Sequence, residues 1–143
     1  MKFVIQRVNH AKLFVDGKLI SSIGKGICVY LGISKDDTSE DILKYAKKIV
    51  ALRIFENNDG KIGLSIKDIS GEILLISQFT LLADSWKGNR PDFSFAATAA
   101  NALVLYQGFA DAIKAQGVPI CLGSFGAHMT IEQDNDGPFT LIL

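Results

Sequence analysis

The stretch Ile27-Cys28-Val29-Tyr30-Leu31-Gly32-Ile33 is an almost unbroken apolar run. It is strand length rather than helix length, and both of its alternating faces are apolar, so layers must cover it on both sides. The composition can supply those layers. Hydrophobic residues make up 48% and charged residues 21% of the chain, which is ample for a core and unlike a disordered polymer. A length of 143 residues suits one ordinary domain. No linker, low-complexity segment or internal repeat divides it, so residues 1–143 are expected to form a single domain.

Other elements follow from periodicity and turn chemistry. Residues 2–8 and 11–16 are β-rich, and Asp16-Gly17 is a hairpin turn. Asp36-Asp37-Thr38 precedes a helix, with Thr38 and Asp41 spaced as a capping box. Ile42, Tyr45, Ala46, Ile49 and Val50 form its apolar stripe, and the helix is expected to run to about Arg53. Asn57 to Gly60 reads as a turn, Glu72 to Phe79 as a strand, and Leu82 to Asp92 as a loop. Residues 94–116 are Ala-rich and are expected to form a second helix, stopped by Gly117 and Pro119. Ile120 to Leu122 and His128 to Gln133 read as strands, Asp134 to Pro138 as a turn, and Phe139 to Leu143 as a last strand. Many strands with two long helices predict an α/β fold of layered sheets carrying helices on one outer face.

Several function classes are disfavoured. No apolar run approaches the roughly 18 residues of a membrane span, and MKFVIQRVNH lacks the features of a secretory signal, so a cytoplasmic location is expected. Cys28 and Cys121 each lie in an apolar run and read as buried thiols; no clustered Cys and His at metal-site spacing is present, and neither metal nor cofactor is expected. The formal net charge is zero, which argues against a broad basic surface for long nucleic acid but leaves room for a small local patch. A mean hydropathy of +0.25 is high for a monomer of this size and fits apolar surface shared between subunits.

Familiar catalytic constellations are missing. His10 and His128 read as surface or structural residues, and there is no G-x-S-x-G elbow. Gly24-Lys25-Gly26 lacks the rest of a phosphate loop, and the acidic group Asp36, Asp37, Glu40 and Asp41 reads as a solvated helix start. Two segments stand out instead. Ser77-Gln78-Phe79-Thr80 places polar residues at the C-terminal end of an apolar strand, where free backbone N–H groups can form an oxyanion hole. Asn135-Asp136-Gly137-Pro138-Phe139-Thr140 contains an X-Pro bond, for which cis costs only about 0.5–1 kcal/mol. A cis bond there would aim two carbonyl oxygens in one direction, enough to hold an ammonium group. Taken singly, each segment also reads plainly, as a strand surfacing and as a turn.

Together, SQFT at 77–80 and NDGPFT at 135–140 resemble the motifs S-Q-x-T and N-x-G-P-x-T of the D-aminoacyl-tRNA deacylases. IQRV at 5–8, RIF at 53–55, Gly88, Arg90-Pro91 and FGAHM at 125–129 are similar to that family in order and spacing, so the resemblance covers the whole chain. Asp92 stands where Ser is expected and Phe139 where Val is usual; Ser77, rather than Pro, resembles the bacterial type.

The resemblance implies a homodimer with a three-layer β/β/α sandwich, its sheets barrel-like and its two helices on one face. It implies a hydrolase that cuts the ester of D-aminoacyl-tRNA, or of mischarged glycyl-tRNA, as chiral proofreading in translation quality control. Gly137-Pro138 is then cis, reaches into the partner's site, and holds the substrate amino group with its carbonyls while excluding an L side chain. Arg7 braces that segment. Ser77, Gln78, Phe79 and Thr80 form the catalytic segment, with the Phe79 and Thr80 N–H groups polarising the ester carbonyl. Phe125 and Met129 flank the terminal adenine. Neither motif supplies a general base, so the resemblance points to water activated by the terminal ribose 2′-OH, with Thr80 as nucleophile the alternative. A catalytically silent module binding RNA 3′ ends or small amines is the competing reading.

Overall fold

In a computed structural model, which describes residues 1–86 and 88–143, the chain opens with β1, Lys2–Val15. A hairpin turn at Asp16 and Gly17, both at positive φ, leads into β2, Lys18–Ile23. Next comes β3, Gly26–Gly32, the apolar run, buried at every position except the half-buried Tyr30. Helix α1, Ser39–Val50, follows. Its start is capped as the sequence predicts: the Thr38 N–H and hydroxyl both reach the Asp41 carboxylate, at 2.9 and 3.0 Å. A small hairpin follows, β4 (Phe55–Glu56) and β5 (Ile62–Leu64). Strand β6, Glu72–Ser77, runs into a 3₁₀ turn, Phe79–Leu82. Helix α2, Ala99–Lys114, then β7, Ile120–Leu122, and β8, Thr130–Ile142, complete the chain.

The main sheet has the order β2-β1-β3-β6-β7, with β8 paired to the other edge of β1. Strands β3, β6 and β7 are parallel; β1 is antiparallel to β2, β3 and β8. The sheet curls until β2 meets β7, where the Ser21 hydroxyl donates to the Leu122 carbonyl at 2.6 Å. The result is barrel-like, with two β layers and the helices as the third. Two cores follow from strand alternation. One side of the sheet, with Phe3, Ile5, Val29 and Leu75, packs against Ile49 of α1 and Phe109 of α2. The other side, with Val8, Leu13, Cys28, Leu74 and Ile76, fills the inside of the curl. Ile73 to Ile76 of β6 are completely buried, each worth about 1.5–3 kcal/mol in burial. Gly26 permits the close approach of β3 to β6, since a Cβ there would lie 1.9 Å from the Glu72 carbonyl oxygen.

Five boundaries differ from expectation. The two expected N-terminal strands are one, because β8 pairs along both halves of β1 while register shifts let the strand bend. Helix α1 stops at Val50 rather than Arg53, because Ile54 and Phe55 turn into the core. Strand β6 stops at Ser77, and Phe79 opens the 3₁₀ turn instead. Helix α2 begins only after the Thr98 cap, because residues 95–97 run beside β3's exit: Lys35 N–H bonds to Phe95 O at 3.1 Å and Ala97 N–H to Ile33 O at 2.9 Å. The expected turn over Asp134 to Pro138 lies inside β8, as an irregular excursion of a strand whose ends both remain paired with β1.

Candidate active site

Parallel pairing brings the C-terminal ends of β3, β6 and β7 to one end of the sheet, and the candidate site is built there. Ser77 pairs opposite Leu31. The Gln78 N–H continues the ladder to the Leu31 carbonyl at 2.8 Å, and the Gly123 N–H bonds the Leu75 carbonyl at 2.8 Å. The chain then leaves β6 as the 3₁₀ turn and leaves β7 as the segment carrying Phe125, His128 and Met129.

Two depressions meet between these segments. One, about 310 Å³, is lined by Leu31, Ile33, Ser77, Phe79, Ala97 and Phe125, among others. Its apolar wall suits a flat aromatic group. Phe125 is held there by Tyr106, whose ring centroid lies 5.7 Å away and whose buried hydroxyl donates to the Leu75 carbonyl at 2.8 Å. The second, about 250 Å³, is lined by Ser77, Gln78, Phe79, His128, Met129 and Ile131, among others. Ser77, Phe79 and Gly126 belong to both. The structure therefore assembles Ser77, Gln78, Phe79, Phe125 and Met129 as one site.

The polar inventory of this site is mostly main chain. Among the described residues, the Phe79 and Thr80 N–H groups meet no acceptor; the bonds of the 3₁₀ turn begin with Leu81 N–H to Gln78 O. The Gln78 side-chain amide donates to the Thr80 hydroxyl oxygen. No described histidine, aspartate or glutamate bonds to Thr80, so nothing prepares that hydroxyl as a nucleophile. No group of described His, Cys, Asp and Glu residues has the arrangement of a metal site. His128, read in the sequence as a surface or structural residue, lines the second depression.

Arg7 and Gly137-Pro138 lie elsewhere on the same chain. In the β1–β8 ladder Gln6 pairs with Thr140 and Val8 with Asn135, so Asp136, Gly137, Pro138 and Phe139 together face Arg7. The Gly137-Pro138 peptide is cis, and both residues are exposed. Arg7 is only 5% exposed and is the one buried charged side chain among the described residues. Its Nε meets the Asp136 carboxylate at 3.0 Å and the Asp136 carbonyl at 3.3 Å, Nη1 donates to the Ile54 carbonyl at 2.6 Å, and the guanidinium lies 5.0 Å from the Phe139 ring centroid. The excursion is thus fastened at its base and free at its crest. It lines neither of the two depressions to which Ser77, Gln78 and Phe79 of its own chain contribute.

The model of the family described as D-Tyr-tRNA(Tyr) deacylase matches residues 4–143. The chain is 45% identical, over all 143 of its residues and 96% of the relative, to a D-aminoacyl-tRNA deacylase of Thermotoga petrophila. It is 48% identical, with the same coverage, to a D-aminoacyl-tRNA deacylase of Thermosipho africanus. Among solved structures it superposes on a c-Myc DNA unwinding element binding protein with a TM-score of 0.95 at 44% identity, covering 100% of this chain and 97% of the other. A probable eukaryotic D-amino acid tRNA deacylase shares the fold, with a TM-score of 0.85 at 20% identity over 99% of this chain and 97% of the other. The chain belongs to the D-Tyr-tRNA(Tyr) deacylase family.

Proposed function

We propose that this chain is a D-aminoacyl-tRNA deacylase, a hydrolase that releases the D-amino acid from the 3′ end of tRNA, and that it works as a homodimer in which each Gly137-Pro138 completes the other subunit's pocket. The observation that carries the reading is the pair of N–H groups at Phe79 and Thr80 that meet no acceptor among the described residues, in the 3₁₀ turn opened by Phe79, a residue that lines both depressions. Two such donors stabilise the oxyanion formed when water attacks an ester, a contribution that carries much of the rate in acyl transfer. The terminal adenine lies against Phe125 and Met129, which places the ester over the 3₁₀ turn.

Selection falls to the partner's excursion. Gly137 and Pro138 are exposed, Arg7 fastens the neighbouring Asp136, and among the described residues neither lines the two depressions of its own chain. Their carbonyls accept the substrate ammonium group and leave no space on the L side. A main-chain selector is indifferent to side-chain identity, so D-amino acids as different as tyrosine and aspartate are accepted, and glycine passes as well.

As water attacks the acyl carbon and the bond to the ribose 3′-oxygen breaks, the substrate's own 2′-OH accepts the water proton and passes its own to the departing 3′-oxygen, so that no protein base is needed, in keeping with the absence of a base beside Thr80 among the described residues. The protein supplies position and charge stabilisation. The test compares two changes on hydrolysis of D-Tyr-tRNA. Thr80→Ala keeps activity within about ten-fold, whereas a terminal 2′-deoxyribose lowers it further. An inactive but folded Thr80→Ala protein with a trapped acyl-threonine overturns the mechanism. Tight binding of D-aminoacyl-tRNA without release of amino acid identifies a silent binding module instead.

A further inference from the structure

The chain's single tryptophan, Trp86, is 95% exposed. It lies four residues past the 3₁₀ turn, in a loop closed by paired bonds between Asp84 and Asp92, each N–H to carbonyl distance being 2.8 Å. Both limbs of the loop are joined to the site. The Phe79 and Phe93 rings meet edge to face with centroids 5.1 Å apart. Trp86 and Phe95 line a shallow depression together with Lys2 and Asp84.

Exposure of so much aromatic surface in one place needs a reason. Trp86, Phe79, Phe95 and Phe93 are 95%, 55%, 50% and 37% exposed. Cations are interleaved with them: Lys35 Nζ lies 5.2 Å from the Phe95 ring centroid, Lys2 borders the depression, and Arg90 is exposed in the loop. The two acidic residues here have structural partners. The Asp84 carboxylate accepts the Trp86 N–H at 3.0 Å, and the Asp92 carboxylate accepts the Ser94 N–H and hydroxyl at 3.0 and 2.7 Å. Their charges remain, but the exposed surface here is dominated by aromatic rings, and the three cations Lys2, Lys35 and Arg90 outnumber the two carboxylates. That combination suits a single-stranded nucleic acid, whose bases stack on aromatic faces while its phosphates meet lysine and arginine.

We infer that Trp86 is a stacking platform for an unpaired base of the tRNA 3′ end, one of those just before the terminal adenosine, with Arg90 and Lys2 beside the backbone. The inference rests on the aminoacyl-tRNA reading above. It gives a chain of zero net charge a local grip on RNA at the one place the substrate must pass. A grip outside the ester pocket contributes to binding and leaves the chemical step alone.

The single tryptophan also provides the readout. Titration with an RNA oligonucleotide ending in CCA is expected to quench Trp86 emission, with an affinity that weakens as salt rises. Trp86→Ala is expected to raise KM for D-Tyr-tRNA about ten-fold with kcat unchanged, and Trp86→Phe to recover most of the loss. Hydrolysis of 3′-D-tyrosyl-adenosine, which lacks the upstream bases, is expected to be the same in Trp86→Ala and wild type. Unchanged KM in Trp86→Ala, or equal losses on both substrates, overturns the inference. So does a shift of Trp86→Ala to a smaller species in sedimentation, which assigns the residue to contact between subunits. Wild type that hydrolyses neither substrate refutes the enzyme reading itself, and the oligonucleotide titration then judges the platform separately.

Discussion

Arg7 holds Asp136 twice, Nε lying 3.0 Å from its carboxylate and 3.3 Å from its backbone carbonyl. A third bond, from Nη1 to Ile54, ties the same guanidinium to the segment after α1. One side chain thus joins β1, β8 and the core-facing residue before β4. Arg7→Ala leaves the Ile54 carbonyl and Asp136 without their partner and is expected to cost about 3 kcal/mol, read from the midpoint of urea unfolding. Arg7→Lys is expected to recover only part of this, because one ammonium cannot reproduce the planar fork. A loss below about 0.5 kcal/mol for Arg7→Ala would mean that the excursion is held some other way.

Gly137 has φ of +128°, and a Cβ there would lie 2.7 Å from the Phe139 nitrogen. Gly137→Ala therefore distorts the crest of the excursion, at a cost of about 1–3 kcal/mol to stability. Because the crest is exposed, the rest of the fold is expected to persist. Initial-rate measurements are expected to show D-Tyr-tRNA hydrolysis reduced more than about ten-fold, far beyond what the lost stability explains. Full activity in a folded Gly137→Ala protein would remove the excursion from the site.

Burial pushes the Cys28 thiol up to about 12 from an ordinary value of 9.0. The folded state keeps its proton where the unfolded state gives it up. This contribution to stability is complete below pH 9 and is lost progressively as pH rises toward 12. At pH 8 in native buffer, iodoacetamide is expected to label the partly exposed Cys121 and to spare Cys28, with both labelled in denaturant. Rapid native labelling of both would show that the inner core opens readily.

Much of the fold was legible in the sequence because its signals are local. The apolar run at Ile27 to Ile33 forces a covered strand, and Thr38 with Asp41 marks a helix start that forms as written. The boundaries that moved are those decided by distant partners. Nothing within residues 134–138 says that β1 will offer them a continuous edge, so a strand with an excursion looks like a turn. Ala96 and Ala97 are good helix formers but are claimed by β3's exit. The site followed the same division. Ser77 to Thr80 could be read as a polar strand end, whereas His128 enters the pocket only because β6 and β7 end side by side. Arg7 sits in an alternating strand and shows its role only when the excursion is seen opposite it.

Chirality is the most direct test of the whole account, since it joins the Phe79 and Thr80 donors to the partner's Gly137-Pro138 in one outcome. Purified protein is mixed in separate reactions with D-Tyr-tRNA and L-Tyr-tRNA, and free amino acid is followed with time. Rapid release of D-tyrosine is expected, with L-Tyr-tRNA left at its spontaneous rate of hydrolysis. Comparable release from both esters would contradict it.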